Sequence, residues 1–196
     1  LSLDDSEARD VDFEIVGNSQ ILVAPGYSSQ VQIRMSTDGS ASADDIHLAT
    51  LHVDAIGMET LLADISADID ESYDFTISAP VSVEVIPGVN ESINISITNL
   101  GNLEVTAAMS ATIVGNWSSS WAWNTITIPI LGTIDNTINI EVPDLDTGEP
   151  LSDGAVHKLT IFLYNSNNSL YLTEQAINLV VAPLFTVNVT NWDDEK

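Results

Sequence analysis

The chain has 196 residues, 44% of them apolar, no cysteine, and 29 acidic against 4 basic side chains, for a formal charge of −25. With only Arg9, Arg34, Lys158 and Lys196 to meet phosphates, the composition excludes nucleic acid as a partner and excludes docking on anionic lipid through a polybasic patch. The missing cysteine excludes thiolate catalysis, thiolate metal sites and disulfides.

No apolar run reaches the ~18 residues of a membrane helix. No basic-then-apolar leader opens the sequence, so an exported protein is expected to have lost its signal already. The β-branched apolar content is enough to build a core, which argues against disorder. The acidity is spread along the chain: 15 acidic and 2 basic side chains in residues 1–72, 11 and 1 in residues 73–182, and 3 and 1 in the tail. Self-repulsion on that scale is tolerated best where salt screens it or divalent cations bind, which fits a saline extracellular setting. Plain solubility explains it equally well.

In chain order, the first ambiguous stretch is residues 43–58, where Ile46, Ala49, Val53 and Ile56 fall at helix-like intervals. The strict alternation that follows, Leu61, Ala63, Ile65, Ala67 and Ile69, favours strands there as well. Further runs of period two are Val81, Val83 and Val85, then Ile93, Ile95 and Ile97 set between Ser92, Asn94 and Ser96. Ile126, Ile128 and Ile130 follow, then Ile138, Ile140 and Val142, then Ile177, Leu179 and Val181. Each run has one packed and one wet face. Turn residues bound them: Pro87-Gly88, Asn99 to Asn102, Gly115-Asn116, Gly132 and Asp153-Gly154. Short strands at this spacing predict an all-β fold of tandem Ig-like β-sandwich domains.

An internal repeat sets the expected organisation. DFEIVGNSQILVAPGYSSQVQIRMST, from Asp12, aligns with DFTISAPVSVEVIPGVNESINISITN, from Asp74, and LFTVNVTN after Pro183 reads as the opening of a third copy. The expected units are residues 1–72, small or partial, residues 73–182, and residues 183–196 as a further repeat or an exchanged terminal strand.

VIPGVNESINISITNLGNLEV, then NWSSSWAW, TITIPILGTIDNTINIEVP and DGAVHKLTIFLY, resembles extracellular Ig-like modules of archaea and bacteria, namely the cell-adhesion-related domain and the NEW-type domain associated with alpha-galactosidases. Pro-Gly, an alternating strand and Thr-Asn-x-Gly-Asn carry the resemblance over about 80 of the 196 residues. Leu131-Gly132 stands where a second Pro-Gly is expected. The resemblance implies a spacer, an adhesive stalk, a surface-layer component or an appendage to a carbohydrate-active enzyme.

Five Asn-x-Ser/Thr sequons, at Asn90, Asn94, Asn116, Asn167 and Asn188, are expected in turns or on wet strand faces and are the candidate N-glycan sites. Trp117, Trp121 and Trp123 share parity, so on a regular strand all three project from one face. Such a stripe would stack on sugar rings in a carbohydrate-binding module, or fill the sandwich core. In DLDTGEPLSD, the side chains of Asp144, Asp146, Glu149 and Asp153 are calcium candidates, although the loop lacks EF-hand order. Asp38, Asp44 and Asp45 are further candidates, as are Asp64, Asp68, Asp70 and Glu71.

Catalytic patterns are missing. His47, His52 and His157 have no metal-ligand spacing, and no Gly-x-Ser-x-Gly elbow or phosphate-cradling glycine loop occurs. The expected protein is a non-enzymatic, exported, glycosylated structural chain of an archaeal cell surface. Its expected partners are other copies of itself, through strand addition by LFTVNVTN or DFEIV, or other surface proteins.

Overall fold

The computed structural model describes residues 1–6, 10–37, 41–43, 45–115, 117–146 and 148–183. Every regular element among them is a strand: β1 (Ser2–Asp4), β2 (Val11–Val16), β3 (Gln32–Thr37), β4 (His47–Val53), β5 (Leu61–Ala67), β6 (Phe75–Ser78), β7 (Ser82–Val85), β8 (Glu91–Asn99), β9 (Val105–Ile113), β10 (Ser118–Trp121), β11 (Thr125–Ile128), β12 (Thr133–Glu141), β13 (Leu145–Asp146), β14 (Glu149–Pro150), β15 (Val156–Asn165) and β16 (Tyr171–Val181). The ambiguous stretch at 43–58 is strand β4 followed by a turn in which the Met58 N–H donates to the Ala55 carbonyl. Two compact units result. One holds Leu1–Phe75, Asn99–Val105 and Pro129–Gly132; the other holds Thr76–Thr98, Thr106–Ile128 and the chain from Thr133 onward.

The second unit is a β-sandwich. One sheet has the order β10-β12-β8-β6 and the other β11-β9-β15-β16-β7. Period-two alternation gives each sheet one apolar face. Ile93, Ile95 and Ile97 of β8 and Ile138 and Ile140 of β12 are buried on the first, and Leu159, Ile161, Leu163, Ile177, Leu179 and Val181 on the second. The two faces meet directly, since the buried Asn136 amide of β12 lies 3.1 Å from Met109 Sδ of β9. Each fully buried Ile or Leu contributes about 1.5–3 kcal/mol through removal from water. The long hairpin β15–β16 runs in register from Val156↔Val180 to a bulge at Leu163/Tyr164. The short strand β7 closes its edge in parallel, Ser82↔Asn178 to Val85↔Val181.

The first unit has the sheet β1-β4-β5 and the two-stranded ribbon β2-β3. Its core is small: Val11, Phe13, Ala41 and Ala49, flanked by Leu3, Ile33, Ile65, Ala67 and Ile69. In both copies of the repeat the Asp-Phe strand pairs with the alternating strand, β2 with β3 and β6 with β8.

Candidate functional site

The Thr-Asn-x-Gly-Asn motif is a clip made of backbone geometry and two amides. Asn99 is fully buried; its Oδ1 accepts from the Gly101 N–H at 2.9 Å and its Nδ2 donates to the Leu103 carbonyl at 2.8 Å, which tightens the loop. Asn102, 8% exposed, then grips the segment Asp70–Asp74: Nδ2 donates to the Asp70 carbonyl at 2.9 Å and Oδ1 accepts from the Ser72 N–H at 2.7 Å. The Leu100 N–H donates to the Asp74 carbonyl, and the Ala43 N–H donates to the Asn102 carbonyl. Gly101 is required by this approach, because a Cβ there would overlap the Ser72 carbonyl oxygen. The sequence marks the motif but not its target, which lies about thirty residues upstream.

The wet face of the sheet β10-β12-β8-β6 is a ladder of cross-strand polar pairs. Ser92 donates to Asn139 Oδ1 at 2.7 Å, Thr137 to Asn94 Oδ1 at 2.8 Å and Ser96 to Asp135 Oδ1 at 2.5 Å, while the Thr98 and Thr133 hydroxyls share a hydrogen at 2.9 Å. Ser118 donates to the Glu141 carboxylate at its edge. Asn94 therefore stands exposed at the centre of this face, opposite the buried Ile93 and Ile95, with its amide oriented by Thr137. Asn90 is exposed just before β8, and Asn167 is exposed in the β15–β16 turn, where its N–H donates to Asn165 Oδ1 at 2.9 Å. Asn116 and Asn188 lie outside the described residues.

The three tryptophans occupy different environments. Trp117 is buried, its ring 4.7 Å from that of His157 and tilted by 35°, and its Nε1 has no hydrogen-bond partner among the described residues. Trp121 is half-buried opposite Ile138, and Trp123 is 66% exposed. Strand β10 ends at Trp121, so the alternation expected to line up all three rings does not extend to Trp123. Asp144 is exposed and packs against Gly88, whose φ of +74° places its missing Cβ position at the Asp144 carboxylate. Among the described residues no three His, Asp or Glu side chains gather as a metal-binding group; Asp38, Asp44 and the Asp146 side chain lie outside them. The calcium candidates Asp45, Asp64, Asp68, Asp70, Glu71, Glu149 and Asp153 are thus not drawn together. His47 is fully buried with Nε2 3.1 Å from the Ser42 carbonyl oxygen, and His52, five residues along β4, faces the other side.

A second aromatic group was missed by the sequence pattern. Phe162 and Tyr164 of β15 have ring centroids 6.4 Å apart, and Tyr164 meets Tyr171, at the start of β16, edge-on at 6.0 Å. Phe162 and Tyr164 stand on the outward side of β15, alternating with the buried Ile161, Leu163 and Asn165. Partial desolvation raises the Tyr171 phenol above its ordinary pKa, helped by the charge and hydrogen bonding of Glu174. Three rings spaced over a strand pair gave no signal, because they are separated by one and by six residues and meet only through the bulged hairpin.

No protein family and no curated protein sequence matches the chain. Among solved structures, surface layer protein SbsC domains 1–6 are similar over 93% of this chain and 21% of their own length, with 14% identity and a TM-score of 0.41. The CARDB domain of a Pyrococcus furiosus protein is similar over 57% of this chain and 89% of its own, with 14% identity and a TM-score of 0.39. A PapD-like domain of human CEP192 covers 59% of this chain and 89% of its own, with 9% identity and a TM-score of 0.39. These are likenesses of fold alone.

Proposed function

We propose that the chain is a non-enzymatic structural or adhesion protein of the cell surface, built of Ig-like β units in series with boundaries near residues 72 and 183, and carrying N-glycans. The polar ladder on β8, β10 and β12 is the observation that supports this reading most. Its hydroxyls, amides and carboxylates are bound to one another across the strands, an arrangement that stiffens a sheet and keeps it wet rather than aiming groups at a reacting atom. Asn90, Asn94 and Asn167 are all exposed, as glycan acceptors must be. Glycans on that face, together with the acidic surface, would oppose edge-to-edge sheet pairing. Within this reading the partner is a second copy or another surface protein, and LFTVNVTN, whose residues from Leu184 on lie outside the described residues, is the segment offered for strand addition.

The test is protease shaving of intact source cells followed by mass spectrometry of the released peptides. Release of peptides from this chain before lysis, with glycan mass on those containing Asn90, Asn94 or Asn167, is the expected result. Recovery only after lysis, with the three asparagines unmodified, overturns the reading. Electron microscopy of the purified chain separates its two forms, since filaments support strand addition and a monodisperse monomer at high concentration removes it.

A further inference from the structure

The outward face of the sheet β11-β9-β15-β16-β7 differs from the ladder on the opposite sheet. Its strand register sets Phe162 between Ser110 of β9 and Glu174 of β16, and places Ala108 opposite Tyr164 and Ala176 opposite Thr160. Beside the short side chains of Ser110, Ala108 and Ala176 the rings stand above the sheet: Tyr171 is 50% exposed, and Phe162 and Tyr164 keep part of their surface in water. The charged groups on this face of β15 and β16 are Lys158 and Glu174, one of each sign.

We propose that Phe162, Tyr164 and Tyr171 form a stacking platform for a neutral polysaccharide chain. A pyranose presents a C–H face that packs on an aromatic ring and a rim of hydroxyls that need donors and acceptors. The platform supplies both kinds of contact: three rings within 6.4 Å of their neighbours, and the phenols, Ser110, Thr160 and the Glu174 carboxylate around them. Charge decides the class of ligand. A chain of formal charge −25 repels anionic polysaccharides, and a cation is drawn to carboxylates over the whole surface with no need of these rings. A neutral sugar is the ligand for which this patch, and not the rest of the surface, provides the binding. The inference stands apart from the cell-surface reading and from the tryptophan stripe.

Isothermal titration of the full chain with cellohexaose, laminarihexaose and mannohexaose tests it, with an alginate hexamer as the anionic probe. At least one neutral hexasaccharide binds with a Kd below about 1 mM. Y164A weakens that binding at least about tenfold and Y164F keeps it within about threefold, at unchanged melting temperature. If Y164A fails to fold, Y171A, at the strand end, takes its place. The proposal is overturned if none of the three neutral probes binds, if alginate binds best, or if binding survives the alanine variants and is lost instead in W123A. None of these failures touches the surface exposure or glycosylation that the shaving experiment measures.

Discussion

Residues 12–37 and 74–99 carry one pattern at a constant offset of 74 − 12 = 62 positions, yet they end in different environments. In the second copy, Ile95 and Ile97 are 2% and 0% exposed, while their counterparts are a half-buried Ile33 and a Met35 that is 43% exposed. Val85 is fully buried in β7; its counterpart Val23 is 47% exposed and belongs to no strand. The difference lies in what covers the pattern. Strand β8 has β6 on one side and β12 on the other, with a five-stranded sheet over its apolar face, whereas among the described strands β3 pairs with β2 alone. Alternation thus specifies a strand pair, and burial depends on how many other strands the unit supplies.

The largest expected effect measures that difference directly. I97A removes a fully enclosed side chain and leaves a cavity, so denaturant unfolding should show a loss of about 2–5 kcal/mol. M35A, at the matching position, should cost less than about 1 kcal/mol because water already reaches it. Equal losses would mean that the ribbon β2-β3 is covered in solution by something other than the described strands.

The clip comes next. N102A deletes two half-buried hydrogen bonds, those to the Ser72 N–H and the Asp70 carbonyl, for an expected loss of about 1–3 kcal/mol. L100A, which removes a side chain 49% exposed on the same loop, should cost less than about 1 kcal/mol. Hydrogen exchange at the Ser72 amide, accelerated in N102A and unchanged in L100A, would locate the loss in the clip. The first copy has Gly39 and Ser40 at the positions of Gly101 and Asn102, outside the described residues.

The all-β class and most strand positions were legible because period two and turn residues are local signals: the runs at 93–97, 138–142 and 177–181 all lie in the buried faces of the sandwich. The partners of those strands were less so, since pairing β7 with β16 joins residues about a hundred positions apart. The exposed settings of Asn90, Asn94 and Asn167 could be read from turns and parity. The tryptophan stripe could not, because parity holds only while the strand continues, and β10 stops at Trp121. The trio Phe162, Tyr164 and Tyr171 needed the hairpin register, including a bulge that no residue type announces.

The paired Pro-Gly turns give a smaller contrast. Gly26 and Gly88 share a left-handed backbone, with φ of +80° and +74°. A side chain at Gly26 would meet nothing within 4 Å, while one at Gly88 would collide with the Asp144 carboxylate. G26A should therefore cost only the conformational penalty, about 1 kcal/mol, and G88A about 1–2 kcal/mol, as the exposed Asp144 swings aside. G88A in a D144A background should fall back to the G26A value in thermal unfolding, because the steric part of its cost is then gone.

The third turn departs from this rule and sets the smallest effect. At Pro129–Gly132 the Gly132 N–H donates to the Pro129 carbonyl at 3.0 Å, and Leu131 holds the left-handed conformation, φ +53°, that glycine holds in the other two. A branched side chain there costs about 1 kcal/mol of backbone strain, and Leu131 recovers little of it through burial because it is 55% exposed. Asparagine tolerates that region through its short polar side chain. Glycine tolerates it too, but adds freedom to the unfolded chain. L131N should therefore raise stability by about 0.5–1 kcal/mol and L131G by somewhat less, read as a shift in the denaturation midpoint at constant slope. A loss in both variants would show that the Leu131 side chain is held by packing, and that the turn keeps leucine for contact rather than in spite of strain.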